Sequence, residues 1–158
     1  MILSDESVDA IKKTTARYPH RKSAILPGLT IAYRQVGHLN EDLYGEVAEV
    51  IGVSKNEVAS AATFYTMFPK QKVGKYLIQV CVNISCGLMG AESLMEYLLK
   101  KLNVKPGEIS EDGLFTVVPV ECLGSCTTAP MMQVNQDFYE NLTPEKVDQI
   151  LEDLRKKA

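Results

Sequence analysis

The four cysteines are the residues of this chain best suited to chemistry. Cys81 and Cys86 have four residues between them, Cys122 and Cys126 have three, and thirty-five residues separate the two pairs. In a reducing compartment, closely spaced thiols serve as metal ligands or reactive groups more often than as disulfides. Four thiolates gathered at one point would make a metal site for zinc or an iron–sulfur cluster. The residues around them are small: Ser85, Gly87, Gly124, Ser125, Thr127 and Thr128. A backbone so composed can close around a bulky inorganic core and aim its N–H groups at sulfur. Structural zinc is the strongest rival, because it also uses paired cysteines two to four residues apart. Zinc usually organises domains too small to have a core of their own, however, and this one has several apolar elements. The first pair has the four-residue spacing of plant-type 2Fe-2S ligands, whereas the second does not follow that pattern. On the residues alone a cluster ranks above zinc, and two disulfides rank below both.

The elements that must position these thiols change character near residue 70. Before it, a helix starting near Ser4 carries Val8 and Ile11 and stops ahead of Pro19. A second begins near Ser23, with Leu26, Leu29, Tyr33 and Val36 on one face and Gly37 as its stop. Asn40 caps a third helix bearing Leu43, Val47, Val50 and Ile51, ended by Gly52. Ser54 and Glu57 form a capping box for a fourth, with Val58, Ala61, Ala62 and Tyr65 inward and Pro69 closing it. Residues 1–70 are thus expected to form a helical bundle. After the Lys-rich stretch Lys70–Gly74, Tyr76–Val82 reads as a buried strand, Ala91 to Leu102 as an amphipathic helix and Leu114–Val120 as a second strand. Two short strands, Met131–Val134 and Asp137–Glu140, precede a last helix opened by Thr143 and Pro144. Residues 75–158 are expected to form an α/β (α+β) layer, helices on a small sheet. Both cysteine pairs then fall in loops at strand ends, and they meet if the two longer strands are neighbours.

Composition excludes several functions. The 158 residues carry 17 basic and 20 acidic side chains, a formal charge of −3, and 46% are hydrophobic. That balance gives no overall attraction to nucleic acid or to an anionic membrane. No apolar run approaches the ~18 residues of a membrane span, and the acidic start Met1–Glu6 is unlike a presequence. A cytoplasmic location, or a membrane face reached only through a partner, is expected. Leu43 to Tyr65 also has the look of a helix-turn-helix, but residues 41–68 hold five carboxylates against Lys55 alone, where a DNA reader needs cations. The run Lys12, Lys13, Arg17, Arg21 and Lys22 reads as a solvated face, with docking to a partner as the minority reading. His20 and His38 read as surface residues, and Phe64, Tyr65, Met67 and Phe68 as core or interface packing. The sequence has neither a P-loop nor a Gly-x-Gly-x-x-Gly segment after a strand, so the residues give no signal for nucleotide binding.

Three segments together resemble one family. Ala62–Phe68, the Cys81/Cys86 pair, and Glu121–Pro130 with Gln133–Asn135 are similar to the small 2Fe-2S subunit of respiratory complex I. This is the E-type, or 24-kDa type, component of NADH:quinone oxidoreductases. Tyr18–Pro19 and Lys22–Pro27 fit as well, so the likeness spans nearly the whole chain. The resemblance implies an N-terminal helical bundle followed by a thioredoxin-like 2Fe-2S ferredoxin domain. It also implies one 2Fe-2S cluster held by Cys81, Cys86, Cys122 and Cys126. FMN and NADH would reside only in a flavoprotein partner, among further peripheral-arm subunits, on the inner face of the cell membrane. No nucleic acid and no membrane insertion are implied. Two residues depart from the family pattern, Met89 in place of Arg and Ser125 in place of Ala. Related subunits serve NAD-linked hydrogenases and formate dehydrogenases, so an equivalent diaphorase role is the alternative; a four-cysteine zinc module or a helix-turn-helix regulator ranks lower.

Overall fold

Three helices of the first unit start at a side chain that satisfies otherwise free N–H groups. In the computed structural model, which describes residues 2–158, Ser4 accepts from the Ser7 N–H to open α1, Asp5–Thr15. A 3-10 turn over Arg21–Ala24 leads into α2, Ile25–Val36. This start lies a little later than the sequence predicts, and the buried face is Ile25, Gly28, Leu29 and Ala32. Asn40 accepts from Leu43 to open α3, Glu41–Ile51, which Gly52 ends with a left-handed φ of 78°. Ser54 and Glu57 make a complete capping box for α4, Lys55–Phe64. Gly28 lets α2 approach α3 closely, since a Cβ there would stand 2.9 Å from Ile51 Cδ1. Ile11, Leu29, Leu43, Val47, Ile51, Val58 and Phe68 fill the core of this unit, which runs Met1–Lys72.

The second unit, Val73–Ala158, is a four-stranded sheet with helices. Its strands are β1 (Tyr76–Cys81), β2 (Phe115–Val120), β3 (Met132–Val134) and β4 (Asp137–Tyr139), in the order β2-β1-β3-β4. β1 and β2 are parallel neighbours, with Tyr76 opposite Phe115 and Cys81 opposite Val120. β3 is antiparallel to β1 and to β4. Gly74 admits β2 at very close range, because a Cβ there would lie 2.8 Å from Leu114 and Phe115 backbone atoms. Its N–H donates to the buried Thr116 Oγ1 at 2.8 Å. The helices are α5 (Ile84–Leu88), α6 (Ala91–Leu102) and α7 (Pro144–Lys156). Leu94, Leu98, Val147 and Leu151 from α6 and α7 share one apolar core with Ile78, Val80, Phe115 and Val117 of the sheet. The sequence predicts a loop where α5 forms, and Cys86 therefore sits on a short helix.

Candidate metal centre

The parallel register of β1 and β2 brings both cysteine pairs to the carboxyl ends of adjacent strands. Cys81 is the last residue of β1, level with Val120, and its N–H donates to the Met131 carbonyl at 3.3 Å. Cys122 follows β2 by two residues. Asn83 turns the chain after β1, its side-chain oxygen accepting from the Ile84 N–H at 2.9 Å to open α5. Cys86, inside that helix, is buried alongside Cys81, Ala91 and Met131, with Leu123 and Ala129 packed against the group. Gly124 turns the second ligand segment with a left-handed φ of 88°, and Cys126 opens a 3-10 turn over Cys126–Thr128. Glu140 holds this turn by accepting from Thr128 Oγ1 at 2.7 Å. The Thr128 and Ser125 hydroxyls keep the Glu140 carboxyl below the usual carboxylate range.

The sulfurs stand as two pairs. Cys122 Sγ and Cys126 Sγ are 3.8 Å apart and both residues are exposed, whereas Cys81 and Cys86 are buried. Burial alone would raise the Cys81 thiol, yet N–H groups of Asn83 and Leu123, together with the Cys86 thiol, outweigh it and hold Cys81 below the ordinary thiol range. Burial and the bond to Cys81 push Cys86 up, against a lowering contact from the Met131 backbone; the charges of Cys81 and Cys126 raise it further. The backbone N–H groups of Asn83 and Leu123 favour negative charge on the Cys81 sulfur, which a metal-bound thiolate there would require. The spacing of the exposed pair also fits. Tetrahedral coordination at metal–sulfur distances of ~2.3 Å puts two ligand sulfurs ~3.8 Å apart. Among the described residues, no group of three or more His, Cys, Asp or Glu lies close enough together to hold a metal ion. The donor set and the pairing suit a two-metal thiolate core.

Sequence reasoning missed most of the contacts that frame these sulfurs, though not the Glu121 charge itself. The donors on Cys81 and the Asn83 cap are backbone and turn features with no periodic signal. Glu121, next to Cys122, is fixed by Asn83 Nδ2 at 2.9 Å. Ile84, Leu88 and Met89 are 76%, 83% and 61% exposed, an apolar surface beside Cys86. The signal for it was present, since these residues belong to no predicted core face. Of the four residues read as core or interface packing, Phe68 is in the core, whereas Phe64, Tyr65 and Met67 are exposed where α4 ends at Phe64, well ahead of Pro69. His20 is exposed and His38 half-buried.

Comparison with known proteins agrees with this geometry. The family model for the thioredoxin-like 2Fe-2S ferredoxin matches residues 11–155. The second E-type NADH-quinone oxidoreductase subunit of Rhizobium meliloti (strain 1021) is 44% identical over 147 residues, covering 93% of this chain and 88% of its own. NADH-quinone oxidoreductase subunit 2 of Thermus thermophilus is 41% identical over 154 residues, covering 96% and 85%. In fold, the chain is similar to an air-oxidised NAD+-reducing NiFe-hydrogenase structure, with a TM-score of 0.71 at 21% identity. That match covers 84% of this chain but 23% of the hydrogenase chain, and it concerns the fold alone. A family match over nearly the full length, on a fold that gathers all four cysteines at two adjacent strand ends, means that this chain belongs to the thioredoxin-like 2Fe-2S ferredoxin family.

Proposed function

We propose that this chain is the iron–sulfur electron-transfer subunit of an NADH-quinone oxidoreductase. Cys81, Cys86, Cys122 and Cys126 are its cluster ligands, and an FMN-containing, NADH-binding flavoprotein is its partner. The observation that carries this reading is the near-full-length likeness to NADH-quinone oxidoreductase subunits, which reaches 44% identity. The convergence of N–H donors on Cys81 supports the ligand assignment. When bound, the cluster supplies a one-electron carrier. The chain's own residues hold its position and set its surroundings. β1 and β2 fix Cys81 and the start of the second ligand segment, and α5 holds Cys86 under an apolar cover. The exposed Cys122/Cys126 pair forms the open end of the site. Ile84, Leu88 and Met89 give that neighbourhood an apolar surface on which the flavoprotein seats. No helix among the described residues is long and apolar enough to cross a membrane. In this reading, the chain reaches the inner face of the cell membrane through the other subunits.

Gentle purification from the native source tests the reading. The chain is expected to copurify with a protein that contains FMN and oxidises NADH. Recovery solely as a free monomer, with no flavoprotein in the pull-down, would contradict it.

A further inference from the structure

The two thiol pairs differ in their accessibility to solvent. Cys81 and Cys86 are 3% and 2% exposed, and Cys81 lies within a strand that is hydrogen-bonded to neighbours on both sides. Cys122 and Cys126 are both exposed, with their sulfurs already in contact at 3.8 Å. Closing that gap to the ~2.05 Å of a disulfide requires a movement of under ~2 Å. The connecting segment turns at Gly124 into open space, where an added side chain would meet nothing within 4 Å.

We propose that Cys122 and Cys126 form a thiol-oxidation site in the cluster-free chain, with small soluble disulfides such as oxidised glutathione as its substrate. Cys122 or Cys126 attacks the glutathione disulfide, forming a mixed disulfide and releasing one reduced glutathione. The second cysteine displaces the other glutathione, and the chain is left with an intramolecular Cys122–Cys126 disulfide. Two thiols are oxidised and one glutathione disulfide is reduced to two thiols, so electrons and protons balance. Oxidation stops there, because burial keeps the same reagent from Cys81 and Cys86. The product is a chain with two of its four proposed ligands withheld, reversibly, until a dithiol reductant restores them; only this last consequence rests on the ligand assignment above.

The experiment uses the full chain stripped of iron and sulfide, reduced, and then exposed to oxidised glutathione. Alkylation before and after denaturation, followed by peptide mass mapping, reads the outcome. The expected product has lost two hydrogens, links Cys122 to Cys126, and yields Cys81 and Cys86 as free thiols that label fully only after denaturation. In Cys126→Ser the reaction is expected to stop at a glutathione adduct on Cys122. A linkage through Cys81 or Cys86, or equal oxidation of all four thiols, would overturn the proposal. Iron and sulfide uptake is then compared for the reduced and the oxidised chain. Uptake by the reduced chain only, regained by the oxidised chain on adding dithiothreitol, is expected. Equal uptake by both would overturn the proposal, whereas no uptake by the reduced chain would overturn the ligand assignment instead.

Discussion

Glu121 is the residue whose charge bears most directly on the site. Its carboxylate acts on Cys81, raising the energy of added negative charge there, and Asn83 Nδ2 holds it in place at 2.9 Å. Tyr76–Leu99 and Leu114–Gln136 contain no Lys or Arg. Lys146 comes near the second segment but is engaged by the Glu140 backbone carbonyl at 2.6 Å and faces the Glu140 charge. Reduction therefore adds charge to an anionic site with little compensation except backbone N–H donors. A midpoint potential on the order of −0.3 to −0.4 V is expected, toward the plant-ferredoxin end of the range. Glu121→Gln keeps the bond to Asn83 and removes the charge, so its midpoint is expected to rise by tens of millivolts, an order-of-magnitude figure. Redox titration with electron paramagnetic resonance reads both values, and an unchanged midpoint in the variant would separate Glu121 from the site. The charge beside Cys122 was legible in the sequence. Its anchoring by Asn83 was not, because the two are 38 positions apart and meet only through the β1–β2 register.

At the scale of elements, the strands and capped helices were legible where a local rule dictated them. Ser54 and Glu57 form the predicted capping box, and β1 and β2 end within a residue of their expected limits. α5 was not legible, since five residues including Gly87 have no helical period, and the helix exists because Asn83 caps it and Cys86 is buried. The face of α2 was legible only in part. Leu29 is buried and Leu26, Tyr33 and Val36 pack against the core as expected, while the close contacts through Gly28 and Ala32, where absence of bulk is the signal, were not read. Gly74 belongs to the same class. Gly74→Ala must push its methyl into Leu114 and Phe115 backbone, which cannot yield as a side-chain end would, so a loss of about 1–3 kcal/mol in the second unit is expected. Urea unfolding of the variant measures it, and wild-type stability would refute the close approach. On α5, Ile84→Ser combined with Leu88→Ser is expected to weaken flavoprotein binding while leaving iron and sulfide content unchanged, because both side chains are exposed. Normal binding in a pull-down would place the partner elsewhere.

Over the whole molecule, the two units answer to different conditions. In the first, Lys22 donates to Glu57 at 2.5 Å and Ser54 adds two further bonds, which lower the Glu57 carboxyl to about 2. A carboxyl lowered on folding contributes stability fully above its unfolded value near 4.5 and loses it as pH falls toward about 2. Glu57→Gln is therefore expected to flatten the acid decline of Met1–Lys72 in that window, as followed by amide signals of α4 in urea at several pH values; an equally steep decline would place the titration elsewhere. The second unit answers to metal. In the proposed function four sulfurs from two adjacent strand ends serve one cluster, and iron and acid-labile sulfide content per chain tests that most directly. Wild-type protein purified without oxygen is expected to hold two irons and two sulfides, as a single 2Fe-2S cluster requires. Single replacement of Cys81, Cys86, Cys122 or Cys126 by Ala is expected to abolish or strongly reduce both. Full occupancy in any one of these variants, or a colourless wild-type protein carrying zinc, would contradict the assignment.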